Sequence, residues 1–218
     1  SILETGYKDN FEKQIKFYKK HFHFSYPDEF FENSNNSHSA LITFDDGYKD
    51  NHDLALPVLQ KHDAKAIFFI VTSITDTNDM LMHDKIRYLI QNKCIDKSLG
   101  NIPSKIYKGE KYYDQNLINH INQNFKESLV NYRLMMNITE LKTIVNSGFK
   151  LGNHTHNHKA LTFLSREKQL FEINSSDKFL NQIQEVDTIG YPNGLYNDDT
   201  LSINDSLNYT YGFTIIPG

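Results

Sequence analysis

"AIFFIV", residues 66 to 71, is among the longest apolar runs of the chain and shows no alternation. A strand with one face in water alternates apolar and polar residues. An unbroken run rich in β-branched and aromatic residues is therefore buried on both faces, as in parallel sheets covered by helices. A second short run, "ALITF" (40 to 44), ends in "DDG" and reads as another buried strand followed by a turn. Between the two lies "NHDLALPVLQKH" (51 to 62), helical in pattern, with Pro57 limiting its regularity. Two such strands joined by a helix form a βαβ unit.

The alternation runs to the end of the chain. "NITELKTIVNSG" (137 to 148) is a punctuated helix, with Asn137 as cap, Glu140 three residues later and Gly148 as stop. The strand "FKLGN" follows it, then a helix over 165 to 183 capped by Ser165, a fourth strand "VDTIGYP" (186 to 192), a helix over 197 to 209 and a fifth strand "YGFTII" (211 to 216). At the N-terminal side, Phe11, Ile15, Tyr18 and Phe22 recur at helical spacing, predicting an amphipathic helix that starts near Asp9. Residues from about 76 to 135 carry helical patterns without an evident strand and read as a helical excursion from the sheet. Its Tyr107, Tyr112 and Tyr113 are aromatic residues suited either to sugar stacking or to a core. The pattern fits a (β/α) barrel or an open doubly wound sheet, and both collect their chemistry at the carboxyl ends of the strands.

A chain of 218 residues is the size of one domain, so residues 1 to 218 are read as a single unit carrying the insertion. A formal net charge of −4 with interleaved signs gives no footprint for nucleic acid. No apolar run approaches the roughly 18 residues of a membrane span. The single cysteine, Cys94, rules out an intrachain disulfide and leaves the redox compartment open. No signal peptide is visible, and the first residue is Ser1 rather than Met.

Three polar clusters follow three of the strands: "TFDDG" (43 to 47), "NHTHNH" (153 to 158) and "YPNG" (191 to 194). Imidazole is the commonest side-chain metal ligand. His154 and His158 fall on one side of a helical turn, whereas an extended segment aligns both with His156. A His-rich surface loop is the competing reading. Asp-Asp-Gly is by itself an ordinary turn, but two adjacent carboxylates at a strand end point apart, so one can bind a metal while the other acts as a base. Two histidines and one carboxylate with open positions suit metal-assisted hydrolysis.

These residues carry a resemblance. "TFDDGYKDNHDLALPVLQKHDAKAIFFIV", "LGNHTHNHKALT" and "GYPNG" resemble, in order, the first three motifs of the polysaccharide deacetylase family (NodB homology, carbohydrate esterase 4), over about residues 11 to 75 and 137 to 217. The resemblance implies an α/β fold, a distorted (β/α) barrel usually of seven strands, here supplying five and so incomplete at the C-terminal side. It implies a metal-dependent hydrolase that removes N-acetyl groups from amino sugars of a poly- or oligosaccharide or a lipid-linked glycan. The alternatives are a catalytically impaired carbohydrate-binding homologue and a sugar O-acetyl esterase. Asp45 would be the catalytic base, and Asp46, His154 and His158 would hold one divalent ion, Zn2+ first and Co2+, Ni2+ or Mn2+ as substitutes. The Asn193 backbone N–H would stabilise the oxyanion. Thr155 and Tyr191 would contact substrate, and His156 would be a non-ligand. The carbohydrate is the expected partner, and localisation stays open between compartments, the cell envelope or its cytoplasmic face being where many family members act.

The departures are equally specific. The arginine that commonly orients the base is replaced by Gly190, the sequence has no Trp for the fourth motif, and no histidine follows His158 to act as general acid. His83, which follows the second strand, is the leading replacement; His52, Asp50 and Asp198 are further candidates. His21, His23, His38, His62 and His120 read as surface residues.

Overall fold

The computed structural model describes residues 2–32, 38–94, 115–125 and 132–215. Its centre is a curled five-stranded parallel sheet, a half-barrel in which β3 (Thr43–Phe44), β4 (Ile67–Ile70), β5 (Lys150–Asn153), β6 (Thr188–Gly190) and β7 (Tyr211–Phe213) lie in sequence order. The register pairs Phe44 with Phe68, Ile70 with Asn153, Asn153 with Ile189 and Gly190 with Phe213. β4 is buried throughout, as its unbroken apolar sequence requires: all four of its residues are buried. Phe68 and Ile70 face the main core with Leu59, Ile144, Leu151, Ile173 and Ile189. Phe69 faces the other way and fills the inside of the half-barrel, 5.2 Å from the Phe213 ring centroid. Two glycines admit it, because a Cβ on Gly152 or Gly190 would come to 2.4 or 3.0 Å of the Phe69 ring.

The run "ALITF" is not one strand. Ser39–Ala40 form β2, which pairs in parallel with β1 (His23–Phe24) in a separate two-stranded sheet, and only Thr43–Phe44 join the main sheet. A single apolar stretch serves both sheets because Leu41 and Ile42 carry the chain from one to the other, with Ile42 O already accepting from Ile67 N–H at 3.0 Å. The first helix also differs from expectation. α1 spans Ile2–His21 and runs through Asp9 and Asn10, so neither residue caps it. α2 (Pro27–Glu32) follows β1.

Pro57 leaves its mark as expected. The turn Asn51–Ala55 is wide, with Leu56 N–H reaching back to Asn51 O, and regular helix resumes as α3 (Leu56–Lys61) with the proline in its first turn, where its missing N–H costs nothing. The helical excursion contains α4 (Met82–Gln91) and α5 (Gln115–Asn124), which build a small core of their own from Met80, Ile86, Leu89, Ile121 and Phe125. Tyr107, Tyr112 and Tyr113 lie outside the described residues. The chain returns to the sheet through α6 (Ile138–Asn146), whose capping box is formed as the sequence predicts: Glu140 N–H donates to Asn137 Oδ1 and Asn137 N–H to Glu140 Oε2, both at 2.8 Å. α7 (Arg166–Leu180) and α8 (Asp198–Ser206) complete the helical layer. Among the described residues no helix is long and apolar enough to cross a membrane.

Candidate metal centre

Asp46, His154 and His158 leave the carboxyl ends of β3 and β5 and converge. Asp46 Oδ1 lies 3.5 Å from His154 Nε2 and 3.2 Å from His158 Nε2, and the two imidazole centroids are 4.9 Å apart. Both histidines are buried, and the carboxylate is mostly buried. The loop geometry is neither of the simple forms open to the sequence. Thr155 and His158 have positive φ, 65° and 55°, so the segment is not a helical turn and is too kinked to line up all three histidines. His156 turns away: its Nδ1 is 2.9 Å from Thr72 Oγ1 and its ring meets Phe171 edge to face at 5.8 Å. Asp46 and Asn193 are also left-handed, at 72° and 58°. Non-glycine residues hold that conformation only where their surroundings over-determine it, and such positions gather at functional sites.

Hydrogen bonding fixes which nitrogen faces the carboxylate. His154 Nδ1 is 2.7 Å from the Gly190 carbonyl oxygen, which can only accept, so Nδ1 carries the proton and Nε2 presents a lone pair. Burial, reinforced by the nearby imidazoles of His154 and His83, holds His158 well below the ordinary imidazole range, so it is neutral at pH 7. Burial pushes the Asp46 carboxyl up, against the pull of His154 and His83, and the neighbouring carboxylates Asp45 and Asp84 add to the rise. Asp46 Oδ1 is buried and makes no hydrogen bond. An acceptor oxygen facing imidazole lone pairs is unfavourable alone and favourable around a cation, so these residues fit a divalent ion. Their donor atoms all lie within 4.8 Å of one another.

The adjacent Asp45 has the opposite environment: it is exposed at the mouth of the site. The β6 turn supplies Asn193. The two bonds that close this turn, Gly194 N–H to Tyr191 O and Leu195 N–H to Pro192 O, leave the Asn193 N–H out. Thr155 and Tyr191 are turned inward. Thr155 is fully buried, its N–H donating to Asn153 Oδ1 at 2.7 Å, and the Tyr191 hydroxyl accepts from Asn204 Nδ2 at 2.7 Å while its ring stacks on Tyr196. At Gly190, a Cβ would be 3.2 Å from His154 Nδ1 and 3.0 Å from the Phe69 ring. Its missing side chain is the space that Phe69 and His154 occupy.

Of the candidate replacement acids, His83 reaches this neighbourhood. It is buried at the start of α4, with its ring centroid 6.4 Å from that of His158. Tyr48 Oη lies 2.9 Å from His83 Nε2 and donates to Asp84 Oδ2 at 2.7 Å, while Arg87 Nη1 donates to Asp84 Oδ1 at 3.1 Å. The phenol has one proton and Asp84 takes it, so the His83 Nε2–H is the donor in the other bond. His52 instead pairs with Asp53, and Asp198 is an exposed residue in the first turn of α8. Sequence reasoning missed Tyr48 and Asp84, although Tyr48 stands two residues beyond Asp46 in a loop already singled out.

The family model described as polysaccharide deacetylase matches residues 32–212. A curated relative, the putative polysaccharide deacetylase YxkH of Bacillus subtilis (strain 168), is 27% identical over 181 residues, which are 82% of this chain. The chain spans 45% of the length of that relative. Among solved structures, the Streptococcus pyogenes deacetylase PplD in complex with acetate is similar at a TM-score of 0.64 and 25% identity, covering 97% of this chain and 74% of the other. A polysaccharide deacetylase from Bacillus cereus shares the fold at a TM-score of 0.64 and 19% identity, covering 97% of this chain and 51% of that one. With the model match spanning most of the chain, this protein belongs to the polysaccharide deacetylase family.

Proposed function

We propose that the protein is a metal-dependent hydrolase that removes N-acetyl groups from amino sugars of a poly- or oligosaccharide or a lipid-linked glycan. The observation that carries this reading is the buried, hydrogen-bond-free Asp46 Oδ1 facing the Nε2 atoms of His154 and His158, beside an exposed second carboxylate. The similar Streptococcus pyogenes deacetylase was solved with acetate, the acid released by this reaction.

Asp46, His154 and His158 would hold a divalent ion, zinc first by donor type, which would supply Lewis-acid polarisation of the carbonyl and activation of water. The chain's own residues do the rest. Asp45 accepts a proton from the attacking water as its oxygen bonds to the acetyl carbon. The Asn193 N–H donates to the oxygen that becomes negative, a role that needs position rather than side-chain type. The C–N bond then breaks, and the nitrogen leaves as an amine only if it gains a proton. His83, whose Nε2–H is held by Tyr48, would give it from Nδ1 of the protonated ring. Carbohydrate is the partner in this reading.

Acetate release should be measured from matched N-acetylated and O-acetylated oligosaccharides, with protein stripped of metal and then reloaded with zinc. Metal-dependent release from the N-acetyl substrate is expected, with His83→Ala reducing amide cleavage more than ester cleavage. Release from the O-acetyl substrate alone would assign an esterase instead.

A further inference from the structure

We propose that Glu172, a buried carboxylate on α7, is a positioning residue for His158, acting through Asn157. The inference rests on the reading of Asp46, His154 and His158 as a metal site. Glu172 is 2% exposed, and both of its oxygens are occupied by one residue: Asn157 N–H donates to Oε2 at 2.7 Å and Asn157 Nδ2 to Oε1 at 2.9 Å. Its backbone carbonyl also accepts from His156 N–H at 2.9 Å. A carboxylate this deep is costly unless fully hydrogen-bonded, and these bonds satisfy it. They also grip the chain one residue before His158, whose φ of 55° is a conformation its own side chain disfavours. With Asn157 fixed, His158 Nε2 is directed to within 3.2 Å of Asp46 Oδ1. Asn157 itself is exposed, so at this residue the hold comes from the Glu172 side chain.

The same helix contains its own control. Gln169, fully buried one turn earlier, donates to Leu164 O at 3.2 Å and accepts from Thr200 Oγ1 at 2.6 Å, away from the histidine loop. If α7 mattered only for stability, the two side chains would be equivalent.

The test compares wild type with Glu172→Gln, Asn157→Ala and Gln169→Leu by two readouts: zinc affinity from chelator competition, and thermal unfolding of the metal-free protein. Glu172→Gln should weaken zinc binding about tenfold or more, the usual effect of removing a group that orients a ligand. Asn157→Ala, which keeps the backbone bond, should weaken it about threefold. Gln169→Leu should lower the unfolding temperature and leave zinc affinity unchanged. Zinc affinity within twofold of wild type in Glu172→Gln, or a loss that Gln169→Leu reproduces, overturns the proposal. If Glu172→Gln does not fold, an unchanged affinity in Asn157→Ala overturns it. A wild-type protein that takes up no zinc overturns the metal reading together with this one, whereas tight wild-type binding with no effect of Glu172→Gln removes the tether alone.

Discussion

The histidine loop, residues 153 to 158, is held by α7 and by the turn after β4, whereas the loop carrying Asp45 and Asp46 is held by the returning end of the helical excursion. Around the histidines, Asn153 Nδ2 donates to Ile173 O at 3.0 Å and to Tyr209 Oη at 2.6 Å, and Thr72 meets His156 from the far side. Around the aspartates, β3 contributes two residues. Beyond them Met136 N–H donates to Gly47 O at 2.9 Å, Lys49 N–H to Leu134 O at 2.8 Å, and Tyr48 bridges Met135. Asp46 therefore rests on the packing of residues 134 to 136, about ninety positions away in the chain, and the loop carrying His154 and His158 rests on α7. The excursion supports the aspartate loop as well as supplying His83.

Each half of this comparison can be broken separately. The largest effect is expected at Asp45, which lies outside the triad. Asp45→Asn should lower the turnover rate by about 10²–10⁴-fold while zinc binding stays intact, and a variant that retains its rate would remove Asp45 as the base. Next is Met135, 1% exposed at the bridge to Tyr48. Met135→Ala should cost about 3 kcal/mol of stability by denaturant unfolding and weaken zinc binding at temperatures where the protein is folded. Unchanged affinity would show that the aspartate loop does not lean on this segment. Gly190→Ala should cost roughly 1–3 kcal/mol by crowding Phe69, and should displace His154 enough to weaken zinc. The smallest effect is expected from Asn137→Ala, which removes the cap of α6 immediately after Met136. It should cost about 1 kcal/mol and leave zinc affinity unchanged, since the cap holds the helix and not the loop.

What the sequence disclosed follows the same division. β4 was legible because a strand buried on both faces is apolar throughout, and α6 because its cap and stop residues are local signals. That Asp46, His154 and His158 would come together was legible because few residue types can share a metal. The split of "ALITF" between two sheets was not, since two-residue strands are set by their partners rather than by their own pattern. Glu172 was hidden for a different reason. A glutamate in the middle of a helix reads as solvated surface, and only the fold shows that its turn of α7 is covered by the histidine loop. His83 was visible as a candidate, but its partners Tyr48 and Asp84 come together only through tertiary packing.

The most direct test of the central claim is the zinc stoichiometry of the metal-stripped protein, measured by calorimetric titration in wild type, Asp46→Ala and His158→Ala. One zinc ion per wild-type chain, lost in both variants while each remains folded, is the predicted result. Wild-type protein that binds no zinc, or variants that bind it as well as wild type, would contradict the assignment of Asp46, His154 and His158 as the metal centre.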